Sequence, residues 1–230
     1  MSERKTRGAF VVIEGLDRSG KSTQTTLLEQ RFKAAGLPVR LVKFPDRTTP
    51  IGKMIDSYLR SESEMDDHAI HLLFSANRWE LASSITESLN AGTTVICDRY
   101  AFSGIAFSAA KNKPTMSYEW CRAPDIGLPA PDLTLFLDVS PEKARERGGY
   151  GNERYENADM QERVEHVFER IGVEMGDGSR WFAVDADREK DSVAEELWMR
   201  IEPYAQGTDR PLQRLWEDLD ERVRNSHLYI

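Results

Sequence analysis

The chain has 230 residues, of which 40% are hydrophobic, and 39 Asp and Glu outweigh 31 Lys and Arg to give a net charge of −8. That length is ample for one well-buried core. The acidic balance excludes a broad nucleic-acid-binding surface, which needs clustered Lys and Arg, and no apolar run approaches the length of a membrane span.

Strand and helix patterns alternate along the chain. Residues Ala9–Glu14 read as a buried strand. A helix follows over Lys21–Ala35, closed by Gly36-Leu37-Pro38. Val39–Phe44 reads as a second strand, stopped by Pro45, and Ile51–Arg60 and Asp66–Asn90 as helices separated by an acidic, Ser-rich turn. Thr93–Asp98 is a third strand. Arg99–Ala110 reads as a helix, Lys111–Pro131 mostly as loop, and Leu133–Asp138 as a fourth strand, with Pro141 suited to the first turn of the next helix. The Gly-rich, charged stretch Gly148–Asn157 reads as a mobile loop, the centre of a lid over about 145–160. Helix returns over Asp159–Met175, a fifth strand over Trp181–Asp185 and a helix over Val193–Ile201. The 204–230 tail carries a helical pattern from Leu212 to Val223. The alternation predicts an α/β fold with a parallel, about five-stranded central sheet covered on both faces. With no long linker and no internal repeat, one domain with a lid is the simplest organisation.

Gly15-Leu16-Asp17-Arg18-Ser19-Gly20-Lys21-Ser22 matches G-x-x-x-x-G-K-[ST], the P-loop pattern. Glycines let successive backbone N–H groups turn inward onto phosphate oxygens. Lys21 supplies a cation for the β- and γ-phosphates of ATP, Ser22 a hydroxyl for Mg²⁺, and the following helix its N-terminal partial charge. Asp17 and Arg18 are unusual inside such a cradle. Asp17 escapes repulsion by pointing toward a second substrate, and Arg18 can reach over a migrating γ-phosphoryl. The alternative is an exposed Asp–Arg pair of little energetic weight.

Asp98-Arg99-Tyr100 follows the third strand, where open α/β sheets bind ligands. Asp98 is placed for Mg²⁺ or its waters, Arg99 for a phosphate; a strand-end ion pair is the plainer alternative. Arg47, in Phe44-Pro45-Asp46-Arg47, is a second phosphate clamp or a solvated turn residue. Phe74 and Arg78, four apart on one helix, share a face and could stack on a base and bond its edge, or be a core aromatic beside a surface cation. Arg145, Arg147 and Arg154 lie in or beside the Gly-rich loop, which can close over ATP or be a solvated charged loop. His68 and His71 lie three apart without an evident third ligand, so histidine metal binding is not expected. Cys97 and Cys121 match no zinc spacing. As free thiols they suit a reducing compartment, cytoplasm or nucleus, and Met1 to Gly8 lacks the apolar stretch of a signal peptide.

Taken together, FVVIEGLDRSGKSTQ, FPDR, LLFSANRWE, ICDRYAFSGIAFSAAK, APDIGLPAPDLTLFLDV and RGGYGNERYENADMQERV resemble the eukaryotic-type thymidylate kinases, over roughly Gly8 to Asp185. The resemblance implies a three-layer α/β/α P-loop NTPase fold and phosphorylation of dTMP by ATP with Mg²⁺, in a homodimer. It implies that Gly15, Ser19, Gly20, Lys21, Ser22, Thr23 and Arg147 hold ATP. Ser22 and Asp98 serve the metal, directly or through water, and Arg18, Lys21, Asp98 and Arg99 carry catalysis. For dTMP it implies Asp17 on the deoxyribose 3′-OH, Arg47 and Arg99 gripping the phosphate, and Phe44 among the binding residues. Phe74 would stack on thymine, Arg78 bond its edge, and Ser103 and Gly104 line the site. Phe107 would exclude a ribose 2′-OH, with Tyr155 and Gln161 closing from the lid. Asp46 stands where that family often has Glu, and the tail extends past the usual end of its chains. Two rivals remain on sequence: another P-loop nucleotide or deoxynucleoside kinase, and a nucleotide-binding switch without an acceptor site.

Overall fold

A computed structural model describes residues 6–147, 153–176 and 180–217. Five strands form one all-parallel sheet: β1 (Phe10–Gly15), β2 (Val39–Lys43), β3 (Thr94–Asp98), β4 (Leu133–Asp138) and β5 (Trp181–Asp185), in the order β2-β3-β1-β4-β5. β1 is central and buried along its whole length. Its run Phe-Val-Val-Ile shows no polar alternation because both faces are covered. Each such side chain removed from water contributes about 1.5–3 kcal/mol.

The helices divide between the two faces. Helix α1 (Lys21–Ala34) packs on β1, β2 and β3 and touches α8 (Lys190–Ile201), which lies on β5. The other face carries α3 (Asp67–Asn90) on β3, α4 (Ala101–Ala109) on β1 and α7 (Ala158–Met175) on β5, with α2 (Pro50–Leu59) outside against α3. This is the expected three-layer arrangement. Thr49 caps α2, its side chain accepting from the Gly52 N–H, and Pro50 fills the first turn. Ser140 and Pro141 open α6 (Pro141–Glu146) the same way.

The stretch read as mostly loop, 111–131, is mostly loop, with one short helix in it, α5 (Tyr118–Arg122), capped by Ser117 and continued by a 3-10 turn over Ala123–Asp125. Five residues are too few to show helical periodicity. The helix read from Leu212 is absent over 212–216. There the Gly127 N–H donates to Leu215 O, Leu215 N–H to Leu128 O, and Ala130 N–H to Gln213 O. The described part of the tail thus docks on the loop before β4, burying Leu215 and Trp216, with Trp216 edge-on to Phe102. Residues 218–223 of that reading, and the lid centre 148–152, lie outside the described residues.

Candidate active site

The site lies beyond the carboxyl ends of β1, β2 and β3, at the crevice where open parallel sheets bind ligands. After β1 the chain turns through the P-loop with Gly15, Arg18 and Gly20 all at positive φ (147°, 65° and 96°). A Cβ on Gly15 would lie 2.6 Å from Leu137 O, so glycine is required by space as well as conformation. Arg99, at φ 66°, is a second arginine held left-handed in the site. Such backbone costs roughly 1–2 kcal/mol per non-glycine residue and persists where surrounding contacts enforce it.

The Lys21 ammonium is held within the loop. Lys21 Nζ contacts Gly15 O (3.1 Å), Leu16 O (2.5 Å) and Ser19 Oγ (3.1 Å). Burial, reinforced by Arg99, lowers the Lys21 ammonium to about 7, although Asp17, Asp98 and Glu14 pull the other way. The Ser22 hydroxyl donates to Asp98 Oδ2 at 2.5 Å, and Lys43 Nζ reaches Ser22 Oγ at 2.9 Å and Asp98 at 3.5 Å. Asp98 Oδ1 is buried and has no hydrogen-bond partner. The Ser22 hydroxyl and the single Asp98 carboxylate, with its orphaned Oδ1, are oxygen donors of the kind a hard divalent cation takes.

Two pockets meet here. One is polar and open, about 1130 Å³ counting its mouth, and includes Arg18, Lys21, Ser22, Thr23, Asp98 and Arg147 in its lining. The other, about 620 Å³, is mostly apolar and includes Phe74, Arg78, Ser103, Gly104, Phe107 and Tyr155. Asp17, Phe44, Pro45, Arg47, Arg99 and Glu153 line both. The shared wall therefore carries two arginines at the junction.

Those arginines are held by named partners. Arg99 pairs with Asp17, donates to Gly15 O and Ser103 Oγ at 3.0 Å, and lies over the Phe107 ring. Asp17 thus lies at the junction, in the lining of both pockets, and Gln161 donates to Asp17 Oδ2 at 2.9 Å. Arg47 spans Asp56 (2.7 Å) and Glu153 (2.8 Å); burial alone would lower its pKa, but the two carboxylates raise it. Arg18 pairs with Glu156 at 2.8 Å. Arg147 donates to Arg18 O (2.8 Å) and Ala186 O (2.7 Å), walling the polar pocket.

Arg78 is not the surface cation that helix position alone allows. It is 2% exposed and makes two bonds to the fully buried Asp125, which also accepts from Ser75. Gly104 provides the space, since a Cβ there would sit 2.7 Å from an Arg78 nitrogen. Arg154 turns away from the polar pocket, pairing with Glu64 and lying over the Tyr58 ring, so it does not join Arg147 there.

Sequence reasoning missed several residues. Glu14, fully buried, accepts from the Tyr100 and Ser103 N–H groups and the Ser103 hydroxyl. Burial raises its pKa against the pull of Arg99 and these bonds. Its signal was an acid inside an apolar strand, a position that demands partners. Lys43 precedes the FPDR segment directly. Asp125, Glu153 and Glu156 carried no local signal.

The protein-family model described as Thymidylate kinase matches residues 13–197. A thymidylate kinase of Homo sapiens is 46% identical over 213 residues, covering 92% of this chain and 98% of the relative. One of Schizosaccharomyces pombe is 51% identical, covering 84% and 91%. The solved thymidylate kinase of Candida albicans aligns with a TM-score of 0.82 at 42% identity, over 91% of this chain and 98% of that one. Likeness at this level, over a span that includes the residues of both pockets, means that the chain belongs to the thymidylate kinase family.

Proposed function

We propose that the chain moves the γ-phosphoryl of ATP onto dTMP, giving ADP and dTDP, in one kinase domain closed by the 145–160 lid. The observation that carries this is the junction itself. A polar trough around the P-loop and an apolar, aromatic pocket share Asp17, Arg47 and Arg99, so two nucleotides can meet through their phosphates.

Lys21, Ser22 and the loop amides bind the donor phosphates, and Arg147 borders the nucleoside end. Arg47 and Arg99 hold the acceptor phosphate by bidentate bonds. Phe74 stacks on the base, Arg78 bonds its edge and Phe107 leaves no room for a 2′-OH. The acceptor phosphate is itself the nucleophile, so no strong base is needed. The work is alignment and charge neutralisation, with Arg18 over the migrating group. Ser22 and Asp98 would hold Mg²⁺, which supplies charge compensation on the donor phosphates when bound.

We also propose a homodimer. The adjoining helices α2 and α3 carry exposed Met54, Leu72 and Trp79, apolar side chains that a second copy can cover. The buried free thiols Cys97 and Cys121 suit cytoplasm or nucleus. Among the described residues no helix is long and apolar enough to cross a membrane.

A panel of nucleoside monophosphates with coupled ADP detection tests the reading. ADP formation should depend on dTMP and be weak with purine acceptors. Equal turnover without any acceptor would favour a nucleotide switch instead.

A further inference from the structure

Glu14 directly precedes the P-loop, is fully buried and lines neither pocket. Its Oε1 accepts from the Tyr100 N–H (2.9 Å) and the Ser103 N–H (3.0 Å), and its Oε2 from the Ser103 hydroxyl (2.6 Å). Tyr100 is the N-cap of α4 and makes no side-chain cap bond of its own. A carboxylate from β1 thus satisfies amides that the first turn of α4 leaves open. The Tyr100 N–H is oriented by the backbone of Arg99, so the same bond helps to hold Arg99 at φ 66°.

The hydrogen-bond count also fixes the Ser103 proton. Arg99 Nη1 donates to Ser103 Oγ at 3.0 Å, and a guanidinium accepts nothing in return. The hydroxyl proton therefore goes to Glu14, and the two amides need Glu14 as an acceptor as well. An ionised carboxylate meets all three bonds. Burial pushes the Glu14 pKa up, and Arg99 is the largest of the influences opposing that rise. Arg99 thus has two carboxylates at hand. Asp17 is part-exposed and bonds Nη2 directly. Glu14 is buried and reaches Nη1 through one hydroxyl.

We infer that Glu14 is a positioning residue for the acceptor phosphate: through the Ser103 hydroxyl and the α4 amides it anchors Arg99 Nη1, leaving Nη2 to exchange Asp17 for a phosphate oxygen. The inference rests on the acceptor site proposed above. A guanidinium tied at one nitrogen loses little freedom when a phosphate binds at the other, so more of the new bond appears as affinity. Glu14→Gln separates this role from packing, since it keeps the shape. Its carbonyl can serve both amides, but its amino group donates where Oε2 accepted, leaving the Ser103 proton without an acceptor.

Displacement calorimetry reads the effect as the Kd for thymidine, which lacks the phosphate, divided by the Kd for dTMP. That ratio should fall about tenfold in Glu14→Gln and in Ser103→Ala, the scale of a bond to a charged group. Thymidine and ATP affinities should stay within about twofold of wild type. On an Arg99→Ala background neither change should lower the ratio further. Thymidine and dTMP weakening alike would make Glu14 a structural residue, and a fall that persists without Arg99 would place its action elsewhere; either result overturns the inference. Should Glu14→Gln not fold, Ser103→Ala decides alone, because an unchanged ratio there breaks the link. A wild-type protein that binds ATP but prefers dTMP no more than thymidine would sink the acceptor site itself, a result read before any variant is made.

Discussion

Glu153 grips Arg47, with its two carboxylate oxygens 2.8 and 3.1 Å from Nη2. Arg47 also lines both pockets, so a protein carboxylate sits where an incoming phosphate would compete. Glu153→Gln should lower the Kd for dTMP by up to about fivefold, the scale of a part-exposed charged bond. Equilibrium titration checks this, and a weaker Kd would mean that Glu153 aids rather than competes with the acceptor.

Arg18 stands in the P-loop at a left-handed backbone position, pairs with Glu156 and lines the polar pocket. Arg18→Ala should lower kcat by on the order of 100-fold, with a smaller effect on dTMP affinity, since its charge matters most during transfer. Steady-state kinetics with an unchanged kcat would remove Arg18 from the chemistry.

The Lys21 ammonium is depressed by burial from 10.5 to about 7. Between those values the unfolded chain binds the proton and the folded, ligand-free protein does not, so stability rises with pH across that window. Below about pH 7 the Lys21 contribution is constant and unfavourable. Donor phosphates favour the charged form, so ATP binding at about pH 8 should take up close to one proton. Calorimetry in buffers of different ionisation enthalpy measures the uptake. It should vanish in Lys21→Met; equal uptake in both proteins would contradict the assignment.

Removing Asp125 should be costly even though it carries no reacting group. Asp125→Ala leaves the Arg78 guanidinium buried without its partner, which costs about 3–5 kcal/mol. Urea denaturation reads the loss, and a change under about 1 kcal/mol would mean that water replaces the carboxylate.

The cradle was legible in the sequence because its chemistry is local. Eight consecutive residues specify the loop, and Asp17 inside it announces a turn away from the donor. Arg47 and Arg99 were legible because they end strands. Asp125 was not, because it meets Arg78 across 47 residues of chain from a 3-10 turn after a five-residue helix. Glu153 and Glu156 were hidden in a charged stretch where solvated acids are ordinary. The tail misled because Leu215 and Trp216 have helical spacing around them, yet backbone pairing to residues 127–130 outweighs that propensity.

In the proposed reaction two nucleotides meet through their phosphates across Asp17, Arg47 and Arg99. A single ligand joining adenosine to thymidine through five phosphates probes it directly by calorimetry. It should bind about 100-fold more tightly than ATP or dTMP alone, displace both, and weaken with either Lys21→Met or Arg47→Ala. A linked ligand that displaces only one nucleotide, or binds no better than ATP, would contradict the account.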